Sequence, residues 1–433
     1  MIKKLLFVII AISAFNIQAQ EGTTSPYSFY GIGSLKFKGT VENRSMGGLS
    51  IYTDSIHVNL RNPASYAGLN LTSFGGQNRP VKFTVGGSNS SLKLKTDDAE
   101  EKTASTTFDY MALAIPMGKF GIGLGLLPYT SVGYKLESYN GDDLTNRYRG
   151  EGGLNKAFLS LGYQITRDLS IGIDANYDFG NIQNSSIVFL YDTDGNLLQY
   201  QSREENRSDL SGLNYNFGLS FKKMISSKLE LITGVTFAPE FNLTSLNQRA
   251  FSSIIINPFT GTETVQNTID DTLSENENET ELTIPSKFSI GAGLGQPKKW
   301  FLGAEYTSQK TSEFYNDFLG SSGSVYEDGS TISIGGFIIP NYKSLTSYWK
   351  RVVYRAGVKI ENTGLNINSE TINEFGISFG VGLPVGRVFS NTNLGLEIGK
   401  RGTTNNNLIQ ENFVNFQLSL SLNDRWFERR KYD

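Results

Sequence analysis

The sequence predicts an all-β protein, a transmembrane antiparallel β-barrel of fourteen strands with an N-terminal hatch inside its lumen. Three observations predict it. The first is the near-terminal stretch Phe413 to Leu422, where Val414, Phe416, Leu418, Leu420 and Leu422 share one parity and Asn415, Gln417, Ser419 and Ser421 the other. Strand side chains alternate between faces, so one face is wholly apolar and the other small, polar and uncharged, which suits lipid outside and water inside. The second is an N-terminus with Lys3 and Lys4 ahead of the apolar run Leu5 to Phe15, and a cut expected before Gln20. That is the pattern of a secretory signal, and the chain after it never offers eighteen consecutive apolar residues. The third is composition. Hydrophobic residues make up 38%, low for a globular core of this length, yet aromatics reach 12%, with 21 Tyr and 28 Phe. A barrel needs an apolar band on one face only, bordered by aromatic belts.

The expected divisions are a signal peptide over 1–19, a hatch or plug over 20–70, the barrel over 71–422 and a periplasmic tail over 423–433. Residues 21–69 are rich in Gly and Ser and do not alternate. An open lumen needs filling, and this segment supplies the material; the alternative is an extension lying outside the barrel. Strands follow at Val81 to Lys95, Phe108 to Pro116, Phe120 to Leu127, Asn155 to Ile165, Leu169 to Phe179, Gly212 to Phe221 and Leu229 to Ala238. The remaining seven are Ile284 to Leu294, Trp300 to Thr307, Thr331 to Ile339, Tyr348 to Ile360, Ile372 to Leu383, Asn391 to Lys400 and the terminal strand. Short turns, several with Pro and Lys or Arg, alternate with long polar stretches at 128–154, 181–210, 239–283 and 308–330. Outer-membrane barrels pair short periplasmic turns with longer outer loops in this way. The apolar runs near 185–192 and 248–257 are expected to extend strands beyond the membrane.

The absence of cysteine excludes a lipid anchor, a disulfide and a thiolate metal site. A net charge of −3 gives no footprint for nucleic acid. His57, the only histidine, stands near Asp54 and Ser55, but two such residues within three positions are a common coincidence, and no enzyme is expected.

The segment SMGGLSIYTDSIHVNLRNPASYAGL, Ser45 to Leu69, resembles the N-terminal hatch of FadL-like outer-membrane proteins, the OMPP1/FadL/TodX type. GLGLLPYTSVGY at Gly123 to Tyr134 and GEGGLNKAFLSLGYQI at Gly150 to Ile165 are similar as well, and the ending SLNDRWFERRKYD resembles tails of such proteins in Bacteroidota. The resemblance implies a fourteen-stranded barrel with a hatch and passage of hydrophobic molecules such as fatty acids or aromatic hydrocarbons, with no cofactor.

Candidate site residues follow. Met46, Gly47, Gly48, Asn62, Pro63 and Ala64 are the expected hatch and gating positions, with Pro63 fixing a turn and Asn62 bonding backbone. Gly121, Gly123 and Gly125 share the lumen parity of the third strand and Pro128 follows, which suits either a lateral opening or hatch packing against bare backbone. Trp426, Phe427, Arg429 and Arg430 in the tail suit an interface anchor or contact with a partner. The acidic runs around Asp97 and Glu275 read as solvated loop charge. The expected function is a hatch-gated outer-membrane channel for hydrophobic compounds. The alternative is a non-transporting barrel acting as structural or adaptor subunit of a secretion or barrel-assembly complex. Expected partners are outer-membrane lipid, hydrophobic small molecules, the barrel-assembly machinery for insertion and other outer-membrane subunits, without nucleic acid.

Overall fold

The computed structural model describes residues 22–424 apart from 55, 70–80, 98, 258–259, 270–272, 317, 319–323 and 386–389. The signal, with its cut site, and the tail residues Trp426, Phe427, Arg429 and Arg430 lie outside the described residues.

Fourteen antiparallel strands form the wall. They are β1 (Val81–Lys95), β2 (Glu100–Met117), β3 (Phe120–Pro128 and Thr130–Asn140), β4 (Asp143–Gln164), β5 (Leu169–Val188), β6 (Gln201–Met224) and β7 (Glu230–Ala238 and Phe241–Ile256). Then come β8 (Glu279–Ile284 and Lys287–Gln296), β9 (Trp300–Gln309), β10 (Gly329–Ile338), β11 (Val353–Ile367), β12 (Glu370–Val385), β13 (Ser390–Arg401) and β14 (Gln410–Asp424). Each pairs with the next, and β1 pairs with β14 from Val81↔Asp424 to Lys95↔Gln410, so the sheet closes on itself. Three strands are broken where proline removes a ladder donor, after Pro128 in β3, at Pro239 in β7 and at Pro285 in β8.

Parity divides the faces as expected. On β5, Ile171, Ile173 and Tyr177 are exposed outward, while Asp174, Asn176 and Asp178 are buried inward. On β14, Val414, Phe416 and Leu422 face out and Gln417, Ser419 and Ser421 in. This arrangement inverts a soluble protein: the exposed large side chains are apolar and the buried ones largely polar.

The strands are longer than the apolar alternation marks, and three of the stretches read as long loops are largely strand. Residues 130–140 and 143–152 form a ladder, β5 and β6 run on to Val188 and from Gln201, and β7 reaches Ile256. Here the outward residues are largely polar or charged, while the inward face carries scattered apolar residues, Val132, Tyr134, Ile182, Leu210 and Leu243 among them, that pack together. The backbone still pairs, but with no lipid to match, the hydrophobic period that marks a membrane strand is absent. The turn before β11 also runs to Val352 rather than ending near residue 347, because Trp349–Arg351 forms a 3₁₀ turn.

Candidate functional site

Residues 22–69 lie against the inward face of the wall, and the wall is cut to receive them. One inward position on strand after strand is glycine, and these glycines stand opposite one another: Gly121↔Gly162, Gly162↔Gly172, Gly172↔Gly218, Gly234↔Gly291, Gly303↔Gly335, Gly335↔Gly357 and Gly380↔Gly395. A Cβ at most of them would collide with the N-terminal segment, and at Gly234, Gly303 and Gly395 it would crowd it. Gly121 faces Tyr66, Gly162 faces Ala67 and Pro63, Gly172 faces Pro63 and Ala64, and Gly218 faces Asn62. Ile51 covers Gly234, Gly291 and Gly303, while Met46 and Gly47 cover Gly335 and Gly357, and Ser45 covers Gly380 and Gly395. The result is a collar of bare backbone around most of the bore.

Local chemistry shapes the segment for this fit. Thr40 and Asn43 form a capping box at the head of α1 (Val41–Arg44), which aims Glu42 and Arg44 at the wall. Gly47 has φ 71°, a left-handed turn that a β-carbon would strain, and it brings the chain against the β11 backbone. The Asn62 Oδ1 accepts from the Ala64 N–H at 3.0 Å, its amide donates to the Leu219 carbonyl of β6 at 3.2 Å, and Pro63 opens the 3₁₀ helix Pro63–Leu69. Met46, Asn62 and Ala64 are almost completely buried, and Gly48 completes the same tight turn.

Charge fastens the segment. Arg44 reaches Asp109 of β2 at 3.3 Å and Glu397 of β13 at 3.1 Å. Asp109 points inward because a bulge between Phe108 and Tyr110 leaves it unpaired in the ladder. Arg61 pairs with Glu305 of β9 at 3.2 Å, and the Ser50 N–H donates to the same carboxylate at 2.6 Å. Lys38 meets Glu374 of β12 at 2.7 Å, beside Lys359. Glu42 accepts from Asn393 at 2.7 Å and Ser421 at 3.1 Å. Sequence reasoning missed these wall carboxylates. Their signal was present: Glu305, Glu374 and Glu397 are acids on the inward parity of their strands, each next to glycine or a small polar residue on that face.

Of the four positions considered for a lateral opening, Gly121 and Gly123 lie beneath Tyr66, and Gly125 faces the Phe158 ring. Pro128 lies elsewhere, at a discontinuity in the wall. The ladder between β2 and β3 runs only from Met117↔Phe120 to Met111↔Leu126. Beyond it the upper half of β3 pairs with β4 and, through Ser131 and Thr130, with the short strand Ser34–Leu35 of the N-terminal segment. A cavity of about 590 Å³ opens along this seam, lined by Thr106, Thr107, Phe108, Pro128, Thr130 and Ser131 among others, with Lys36 at its inner side. Cavities of about 160 Å³ lie against the N-terminal segment, and a larger one of about 920 Å³ opens among the polar strand extensions, lined by Tyr134, Arg149, Asn184, Arg203 and Arg249 among others.

His57 Nδ1 lies 2.8 Å from Asp54 Oδ2, and Asp54 also accepts the backbone N–H groups of Ile56 and His57. Burial disfavours the imidazolium, but the Asp54 carboxylate outweighs it and holds His57 above the ordinary histidine value. The pair closes a tight local turn, and both residues line a cavity of about 300 Å³ at the end of the barrel where the turns are short.

The family model that matches is BamG, over residues 1–433. The chain belongs to the BamG family. The FadL-type resemblance of the N-terminal motifs therefore corrects to a likeness of fold, and in that sense it is extensive. The BamG-family chain is similar to the toluene transporter TbuX of Ralstonia pickettii, with TM-score 0.57 and 14% identity over 90% of this chain and 99% of that one. It is similar to a FadL homologue of Pseudomonas aeruginosa, with TM-score 0.57 and 13% identity over 91% and 100%. It is also similar to the toluene transporter TodX of Pseudomonas putida, with TM-score 0.57 and 14% identity over 92% and 100%. At such identities the likeness is one of fold alone. No curated protein matches the sequence.

Proposed function

We propose that this BamG-family chain is a plugged outer-membrane barrel without enzymatic activity, serving as a structural subunit of an outer-membrane assembly complex, the barrel-assembly machinery to which the family name points. On this reading an N-terminal signal directs export, and residues 22–69 act as a permanent plug. The observation that carries it is the way the plug is held. A route through the bore requires the segment to move, which parts Arg44 from Asp109 and Glu397 and Arg61 from Glu305, while Glu374 loses Lys38 and keeps Lys359 of the wall. Breaking one such buried pair costs about 3–5 kcal/mol. The test is purification of the tagged chain from gently solubilised outer membranes, with outer-membrane protein levels measured in cells lacking the gene. Co-purification of assembly-machinery subunits and a fall in barrel proteins are expected; a chain that purifies alone and whose loss leaves those levels unchanged refutes the proposal.

A second reading, diffusion of hydrophobic compounds, is favoured by one observation, the seam between β2 and β3. The seam is lined by Thr, Ser and Asn side chains together with Phe108, Leu126, Pro128 and Val132, and Lys36 and Glu151 stand among them, a mixed surround for an apolar solute. Uptake of labelled toluene or fatty acid that depends on the gene and falls with Thr107→Trp would establish this reading in place of the first.

A further inference from the structure

At the short-turn end of the barrel, the connection between β10 and β11 carries two large apolar side chains in the open. Leu345 is 99% exposed and Trp349 67% exposed. The turn that holds them is braced. Ile339 N–H donates to the Lys299 carbonyl at 2.7 Å, Asn341 N–H to the Lys350 carbonyl at 2.7 Å, Ser344 N–H to the Asn341 carbonyl at 3.1 Å and Arg351 N–H to the Tyr348 carbonyl at 2.9 Å. Tyr348 Oη ties the turn to the Pro384 carbonyl of β12 at 3.1 Å. An ordered turn that presents bare apolar groups has already met the ordering cost of binding.

Two further features converge here. The turn and the neighbouring Pro297–Lys299 turn hold Lys298, Lys299, Lys343, Lys350 and Arg351 with no carboxylate among them, in a chain whose net charge is −3. Beside them opens the cavity of about 300 Å³, walled by Met46, Tyr52, Val58, Phe337, Ile339 and Val353, with Glu42, Asp54 and Glu230 also on its lining. Its wall includes the N-terminal segment, so the cavity lies at the mouth of the bore. Bilayer lipid surrounds a barrel and does not cover its mouth, so an apolar hollow there faces the aqueous side.

We infer that this mouth is a docking surface for an acidic segment of a periplasmic protein domain, with an apolar residue of that segment entering the cavity beside Leu345 and Trp349 and its carboxylates meeting the lysine pair on each turn. The inference rests on the assembly-subunit reading and names the surface and chemistry of its partner. The chain's own residues 425–433 are a poorer match, since Arg425, Arg429, Arg430 and Lys431 carry the same sign as the rim.

The experiment uses the full chain in nanodiscs and, as probes, the separately purified soluble periplasmic domains of the assembly machinery, with binding followed by interferometry. Wild type is expected to bind one of them with an affinity that weakens as salt rises. Leu345→Ser/Trp349→Ser and, independently, Lys298→Glu/Lys343→Glu/Lys350→Glu are each expected to weaken it by at least about tenfold, with heat-modifiable migration confirming folded barrels. Unchanged binding in both variants overturns the surface while co-purification of the complex still upholds the subunit reading; loss of co-purification in wild type strikes that reading instead. Two other results overturn the inference. One is a double variant that alters only insertion into phosphatidylglycerol vesicles, which makes Leu345 and Trp349 a lipid anchor. The other is binding that appears only after residues 425–433 are removed, which makes the tail the occupant.

Discussion

Arg44→Met tests the fastening of the N-terminal segment. The Arg44 side chain is 10% exposed and its partners Asp109 and Glu397 are 4% and 8% exposed, so solvent screens neither pair well. At 3.3 Å and 3.1 Å each attraction is about 5 kcal/mol at an effective dielectric of about 20, largely offset by the desolvation of three charges. Removing the cation while leaving both carboxylates in place forfeits the attraction but not that cost, and the expected loss is about 3–5 kcal/mol. The readout is local: hydrogen exchange of the amides of α1 and of Ser45 to Leu49, in protein held in nanodiscs, compared with the wall strands. Exchange of these amides should accelerate by two orders of magnitude or more, roughly, while β5 and β6 stay protected. The triple variant Arg44→Met/Asp109→Asn/Glu397→Gln leaves no unpaired charge and is expected to recover most of the protection. If Arg44→Met alone changed opening by less than about 1 kcal/mol, the pairs would be behaving as surface pairs do and the argument for a fastened plug would fail.

Three more outcomes are expected. Gly357→Val, whose new side chain meets the Met46–Gly47 backbone, should cost about 1–3 kcal/mol and raise protease access to residues 41–69 without unfolding the wall; resistance equal to wild type would mean the collar is not a contact surface. Phe217→Arg on the outer face should destabilise the barrel in lipid by about 2–4 kcal/mol in urea titration if it sits near the bilayer midplane, and a neutral result would remove the membrane orientation. Because His57 is the single histidine, its imidazole titration is readable by NMR. Its raised folded-state pKa means that its contribution to stability is complete below the unfolded value near 6.5 and is lost as pH rises through the folded value, and Asp54→Asn should move that value down. A wild-type titration at or below about 6.5 would show that Asp54 does not hold the proton.

The wall was readable because lipid imposes a strict period of two: Ile171, Ile173 and Tyr177 announce β5 without any knowledge of its neighbours. Where the strands leave the membrane, as in residues 143–152 of β4, nothing apolar keeps count, and the strand passes for a loop. The interior was harder for a different reason. Gly121, Gly123 and Gly125 drew notice as a local run, but Gly172, Gly218 and Gly357 are single glycines in separate strands, and only the register sets them side by side. Asp109 is the clearest case. Simple alternation turns it away from Arg44, and the bulge that brings it inward has no marker in the local sequence.

The glycine collar also favours an order of events. Residues 22–69 precede the first wall strand, and the ring is completed only when β1 meets β14, more than three hundred positions further along the chain. Once that last seam is made, the segment can reach its seat only through an end of the cylinder, past backbone that leaves no room for a side chain around most of the bore. Gathering the early part of the chain in while the cylinder is still an open sheet avoids that passage, and closure then shuts it inside.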